Sequence, residues 1–196
     1  MISNRDDYRF FLECDRIALR RKKRNPKLFG DHIWKYQIAL RRVEFCLNCL
    51  KKYNPLRIVA LWRFKTLSSR CGFSIAPNTV GPGLSIAHKG TIIINSNARV
   101  GSNCRIQTGV TIGATNGSEA APDIGDNVFL GDGCKIIGNI TVANDVQIGA
   151  NAVVVKDILE PATTWGGVPA RKISNHSSEK NIVRATTIVS RYNNNN

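Results

Sequence analysis

From residue 94 an aliphatic side chain returns at every sixth position: Ile94, Val100, Ile106 and Ile112, then after a break Ile124, Leu130, Ile136, Val142 and Ile148. Four residues after each of these, a second apolar slot holds Ala98, Cys104, Val110, Val128, Cys134, Ile140, Val146 and Ala152. Glycine follows the first slot at 101, 113, 125, 131 and 149. A period of six matches neither an amphipathic helix nor an alternating strand, and it marks an internal repeat. Three hexapeptides, each one short strand, make one 18-residue coil of a three-sided β-helix. The first-slot side chain points to the axis and stacks on its counterpart in the next coil. The second slot turns a corner, so it stays small. Cys104 and Cys134 therefore read as inward-facing small hydrophobes. A solenoid cannot bury its own ends, so the segments before the repeat and after residue 156 are expected to cap it.

Before residue 71 the pattern is helical. DDYRFFLECDRIALRRKK carries apolar residues at 8, 10, 11, 12, 14, 17, 18 and 19, and Asn25-Pro26 breaks it. DHIWKYQIALRRVEFCLNCLKKY follows, with Asp31 as N-cap and Asn54-Pro55 as the stop. LRIVALWRFKTLSSR is a third amphipathic segment, in which Trp62 and Phe64 either touch a membrane surface or, by preference, pack on the protein. The repeat is interrupted once, by ATNGSEAAPD at 114–123. Polar insertions in solenoids map to one face, often the binding face, so this loop is expected to wall the active site. The expected organisation is a basic α-helical N-terminal domain at 1–71, a β-helix at 72–174 and a polar tail at 175–196.

Composition adds limits. With 196 residues and 42% hydrophobic content, the chain suits one compact domain, or one domain with a sizeable appendage. No apolar run reaches the roughly 20 residues that span a bilayer, and MISNRDDYRF does not read as a signal peptide. The six cysteines include a CxxC at 46 and 49, but no second pair follows at zinc-finger spacing, so no metal site is expected. Reduced thiols in a cytoplasmic protein are the simpler account. The net charge of +14 is uneven: residues 1–70 hold 18 basic and 6 acidic side chains, residues 71–196 hold 10 and 8. The first part thus suits an acidic partner, a saccharide or an anionic membrane surface met peripherally, or is simply a solvated basic face. Aromatic residues do not alternate with the bases as a stacking platform requires, so nucleic acid is not expected.

Of three histidines, His88 alone sits among small and apolar residues, in LSIAHKGTII just after the turn GPG at 81–83. GPGLSIAHKGTI, the loop after GVTIG and the closing TTWGGVPARKIS resemble the left-handed β-helix acyltransferases. The likeness is strongest to serine acetyltransferase and its relatives found with surface-polysaccharide biosynthesis enzymes. It covers residues 72–174 firmly and 1–71 loosely. It implies a mainly β fold, a left-handed parallel β-helix of hexapeptide repeats with an N-terminal α-helical domain. It also implies a homotrimer that transfers an acetyl group from acetyl-CoA to a hydroxyl, with His88 as general base. Coenzyme A would lie along a groove between neighbouring coils of adjacent subunits, lined by Gly113, Gly131, Gly149 and Ala150. Its 3′-phosphate end would meet Arg171 and Lys172. Trp165 would stack on adenine or a sugar, or cap the prism.

The departures from serine acetyltransferase matter as much. Where that family orients its histidine with an aspartate, this chain has Ser74, and Ala87 rather than an acid precedes His88. The family grips serine with an Arg-His pair before a proline. Here Ala120 and Ala121 precede Pro122. Polysaccharide-linked relatives often carry a second histidine where this chain has Gln107. With Ser74, Gln107 and Trp165 lining the acceptor side, the leading expectation is a sugar hydroxyl. O-Acetylserine synthesis is the alternative, and a non-catalytic β-helix scaffold a further one.

Overall fold

The computed structural model describes residues 1–115 and 117–194. Three helices come first: α1 (Arg5–Ala18), α2 (His32–Cys49) and α3 (Pro55–Cys71). Fourteen short strands follow: β1 (Phe73–Ile75), β2 (Ser85–Ile86), β3 (Ile92–Ile94), β4 (Arg99–Val100), β5 (Arg105–Ile106), β6 (Thr111–Gly113), β7 (Asp123–Ile124), β8 (Phe129–Leu130), β9 (Lys135–Ile137), β10 (Thr141–Val142), β11 (Gln147–Ile148), β12 (Val153–Val154), β13 (Thr164–Gly166) and β14 (Arg171–Ser174). A 3₁₀ turn (Ser178–Lys180) and α4 (Ala185–Asn194) close the described chain.

The strands wind into a left-handed parallel β-helix. One side is the sheet β1-β3-β6-β9-β12, the second β4-β7-β10, and the third β2-β5-β8-β11-β13, to which β14 adds antiparallel. Register confirms the coil length: Ile94 pairs with Ile112 and Ile136 with Val154, 18 residues apart. Ile112 pairs with Ile136 because the loop at 114–122 adds one excursion to that coil. All nine first-slot aliphatics are at most 4% exposed, and every second-slot residue at most 8%. Corners are turned by left-handed residues. Asn103, Asn127 and Asp145 have φ between 58° and 61°, and Asn103 donates to Asn127 at 2.9 Å, one coil on. At the same corner of the first coil stands Gly83, φ 83°, where a Cβ would lie 2.5 Å from Asn103 Oδ1; only glycine fits.

The first coil is closed by helices, as a solenoid end requires. Tyr36, Ala39, Leu40 and Val43 of α2, with Phe64 and Leu67 of α3, join one core with Phe73, Ile75, Leu84 and Ile86. Across this apolar junction runs a buried polar network. Asp15, Gln37, Arg41 and Glu44 are all at most 1% exposed. Arg41 pairs with Asp15 at 2.9 Å and Glu44 at 3.0 Å, and donates to the carbonyls of Val80 (2.8 Å) and Gly81 (2.6 Å). Asp15 accepts from the amides of Gly83 and Leu84, both at 2.9 Å, and Gln37 donates to Leu84 O at 2.7 Å. Burial disfavours the Arg41 charge, but the two carboxylates more than offset this and raise its pKa above the usual arginine range. The turn that leads into His88 is thereby fixed by α1 and α2.

Several local expectations change. The first helix ends at Ala18, not at the later Asn25-Pro26, and Arg20 takes a left-handed conformation (φ 55°). Asp31 precedes α2 at φ 48° without capping it through its side chain; its carboxylate accepts from Lys27 N at 2.9 Å and pairs with Arg21 at 2.9 Å. Phe64 is core while Trp62 is 69% exposed, because the two lie on different faces of α3. Within 175–194, Ala185 and Val189 of α4 pack on Cys14 and Ala18 of α1. No helix among the described residues is long and apolar enough to cross a membrane.

Candidate active site

His88 sits at the corner between β2 and β3. Its backbone is held on both sides: Ala87 N donates to Ile106 O at 3.0 Å, and Gly90 N to Cys71 O at 3.0 Å. Gly90 has φ 145° and a Cβ there would lie 3.1 Å from Thr108 Cγ2, so the turn after His88 presses on the next coil. The ring itself is exposed and makes no hydrogen bond or ion pair among the described residues. A fixed backbone carrying a free imidazole can accept a proton from a bound hydroxyl.

The other expected site residues do not gather around it. Ser74 is exposed on β1, opposite Ile93 in register, and makes no bond to His88. Gln107 follows β5 and lines a 430 Å³ pocket on the third side of the prism, together with Ala87. Gly131 and Gly149 follow β8 and β11 on that side, and a Cβ on Gly131 would lie 2.7 Å from Ala150 N; Ala150 is exposed at the following corner. Gly113 lies on β6, in the first side, opposite Ile137. The four small residues therefore do not form one groove on one face of a single chain. Trp165 pairs with Ile148 in register, packs against the main core and donates Nε1 to Thr163 Oγ1 at 2.9 Å. It ends the inner stack as a cap. Lys172 is ion-paired with Glu160, while Arg171 is exposed and donates to Ala170 O at 3.1 Å.

The loop at 114–122 lies away from His88 within one chain. It leaves the first side after β6 and enters the second at β7, whereas His88 lies where the third side meets the first. The two stand at opposite edges of one sheet, so the loop does not wall His88 within a single chain. Asn116 falls outside the described residues. Ala121 packs on the core, and Asn97 Nδ2 donates to Glu119 O at 2.8 Å.

Sequence reasoning passed over four cations at the 430 Å³ pocket: Arg20, Arg21, Arg105 and Lys180. Arg105 precedes a first-slot residue and so points outward, which the register alone could have told. The approach of Arg20 and Lys180 depends on how α1 and the C-terminal segment fold back. A larger groove of 650 Å³ runs among the helices beside Glu13, Arg16, Trp34 and Val189 and contains no strand residue.

The pattern of the family described as Bacterial transferase hexapeptide (six repeats) matches residues 122–156. The serine acetyltransferase of Staphylococcus xylosus is 34% identical over 167 residues, which are 83% of this chain and 73% of the relative. The chain belongs to the serine acetyltransferase family. A Staphylococcus epidermidis member is equally similar, 34% identical over 170 residues, covering 84% of this chain and 75% of its own. Among solved members, soybean serine acetyltransferase superposes with a TM-score of 0.71 at 27% identity, covering 86% of this chain and 69% of that one. A serine acetyltransferase solved in complex with CoA gives 0.69 at 25% identity, covering 86% and 70%. Like the family, this chain is a hexapeptide-repeat acyltransferase.

Proposed function

We propose that this chain is an acetyl-CoA-dependent O-acetyltransferase in which His88 is the general base. The observation that carries the reading is the exposed, unpartnered ring on a backbone fixed at Ala87 and Gly90. A thioester is already activated, so the protein need only orient the acceptor and take its proton. The hydroxyl oxygen attacks the carbonyl carbon, the C–S bond breaks, and the coenzyme leaves as thiol with the proton His88 has held. The charge that develops on the carbonyl oxygen suits extended backbone N–H groups. His88→Ala should lower turnover on the order of 10²–10⁴-fold while coenzyme A affinity stays within a few fold. A loss below tenfold rejects this role.

The family relatives support L-serine as the acceptor, giving O-acetylserine, over the sugar that the sequence put first. A sugar hydroxyl stays as a second reading on one observation: the loop holds Ala120 and Ala121 where a carboxylate-gripping pair is expected. Thiol release from acetyl-CoA, compared across L-serine, nucleotide sugars and oligosaccharides, separates the two. A homotrimer is supported by the separation of His88 and the 114–122 loop at opposite edges of one sheet, since a neighbouring copy can bring its loop to this chain's histidine. Sedimentation should give three times the 21.6 kDa of the chain; a monomer rejects the shared site. Gly113, Gly131, Gly149, Ala150 and Arg171 remain the candidate contacts for coenzyme A, divided between two faces as a site between copies requires.

A further inference from the structure

The 430 Å³ pocket that reaches Ala87 is lined by Arg20, Arg21, Arg105 and Lys180 and by no carboxylate. Its size suits a small molecule or one end of a larger one. Arg21 is already paired with Asp31; Arg20, Arg105 and Lys180 have no ion-pair partner among the described residues. Arg105 is half-buried on β5, in register between Ser85 and Phe129. Of its five N–H donors, one reaches Ser85 Oγ at 3.2 Å, and no other bond is made among the described residues. Burial, and then the neighbouring Arg20 charge, lower its pKa below the usual arginine range, the mark of a cation without a counter-charge.

The approach of Arg20 is built rather than incidental. Its left-handed backbone, costly for a non-glycine residue, is held by Arg20 N donating to Ile17 O at 2.8 Å and Arg21 N to Arg16 O at 3.0 Å. This turn directs residues 19–21 at the strand face. Lys180 arrives from the other side, on the 3₁₀ turn that Ser178 anchors by its amide to Asp145 O at 3.0 Å. Ser85, Gln107 and Asn181 add neutral polar groups, and Leu19, Ile33, Ile86 and Phe129 an apolar floor. The wall includes Ala87, immediately before His88.

We infer that Arg20, Arg105 and Lys180 hold the oxyanion group, carboxylate or phosphate, of the acceptor whose hydroxyl is presented to His88. The inference rests on the acetyl-transfer reading only for that hydroxyl. It supplies on the strand face the cation that Ala120 and Ala121 leave out of the loop. A charged oxyanion with two guanidinium groups gains paired, charge-assisted bonds in a partly desolvated site.

The test uses the full chain, with an Arg20→Gln/Arg105→Gln variant and Lys52→Gln as a control for loss of surface charge. Inorganic phosphate and D-glucuronate are titrated calorimetrically at low ionic strength. The double variant should bind at least one of them tenfold more weakly, and which one identifies the anion as phosphate or carboxylate. Lys52→Gln should bind as the parent does, coenzyme A affinity should hold within threefold, and Arg105→Lys should recover part of the loss. Unchanged binding of both anions overturns the proposal, and so does a loss confined to coenzyme A, which would assign the pocket to the coenzyme's phosphates. In a second arm, L-serine and L-serinamide offer the same hydroxyl with and without a carboxylate. If the parent prefers L-serine, the ratio of kcat/KM values should fall at least tenfold in the double variant; an unchanged ratio rejects the pocket while leaving acetyl transfer intact. Variant-sensitive anion binding with no turnover of any acceptor would reject acetyl transfer and leave the anion site standing.

Discussion

In the prism, nine stacked aliphatics and a second row of small side chains fill the axis without one charged atom, whereas at the junction with α1 and α2 an arginine and two carboxylates lie fully out of water. The two regions bury side chains to the same degree by opposite chemistry. A stacked aliphatic contributes according to the area it removes from water and needs no particular partner. A buried guanidinium is tolerated only because each of its donors is met. The prism should therefore lose stability gradually with each truncation, and the junction should fail when one member is removed.

The largest expected effect tests that contrast at Arg41. Arg41→Ala leaves Asp15 and Glu44 buried without their cation and should cost about 3–5 kcal/mol, read from urea denaturation. Hydrogen exchange at Gly83 and Leu84, whose amides donate to Asp15, should accelerate first. A cost under about 1 kcal/mol would mean that the junction is held by its apolar contacts alone. In the prism, Leu130→Ala should cost about 3 kcal/mol through lost burial and the cavity left behind. Ile106→Ala and Ile136→Ala should fall close to it, because the three occupy equivalent slots. Costs scattered as widely as those of unrelated core sites would contradict equivalence.

A smaller effect belongs to the corners. Asn127, at φ 59°, should lose about 1–2 kcal/mol on change to Ala, since a Cβ in the left-handed region is strained and asparagine tolerates it best. Asn127→Gly should cost less. Equal losses would trace the effect to the bond from Asn103 rather than to backbone conformation. The smallest effect concerns the thiols. Burial pushes Cys134 up to about 12 and Cys104 higher still, so at pH 8 the native prism holds almost no thiolate. Iodoacetamide should modify half-buried Cys49 on α2 and spare Cys104 and Cys134 until the protein unfolds.

The fold was legible where the chain repeats itself. Ile94 through Ile148 could be placed on the axis, and Ala98 through Ala152 at corners, because each repeat meets the same neighbours one coil above and below. His88 was legible as an ionisable residue in a small, apolar setting beside a glycine turn. The end of α1 was not: nothing in LRRKKRNP marks the left-handed turn at Arg20, which follows from packing against the strand face. Nor was α4, whose Ala185 and Val189 are too few to stand out and are buried only because α1 offers Cys14 and Ala18. Gly113, Gly131 and Gly149 share one slot in the repeat, yet the second and third lie on another side of the prism from the first. The break at 114–123 shifts the count by one excursion and hides this.

By itself the sequence determined the coil, because a six-residue period and small corner residues admit one way of stacking aliphatics out of water. It also singled out His88, among three histidines, as the candidate base. Only the tertiary structure decided what surrounds that histidine. Arg105, Arg20 and Lys180 are separated by up to 160 positions and converge on one pocket, and Asp15, Arg41 and Glu44 clamp the turn ahead of it. Contacts of this kind are set by how helices dock on a strand face, a long-range arrangement that no local period encodes.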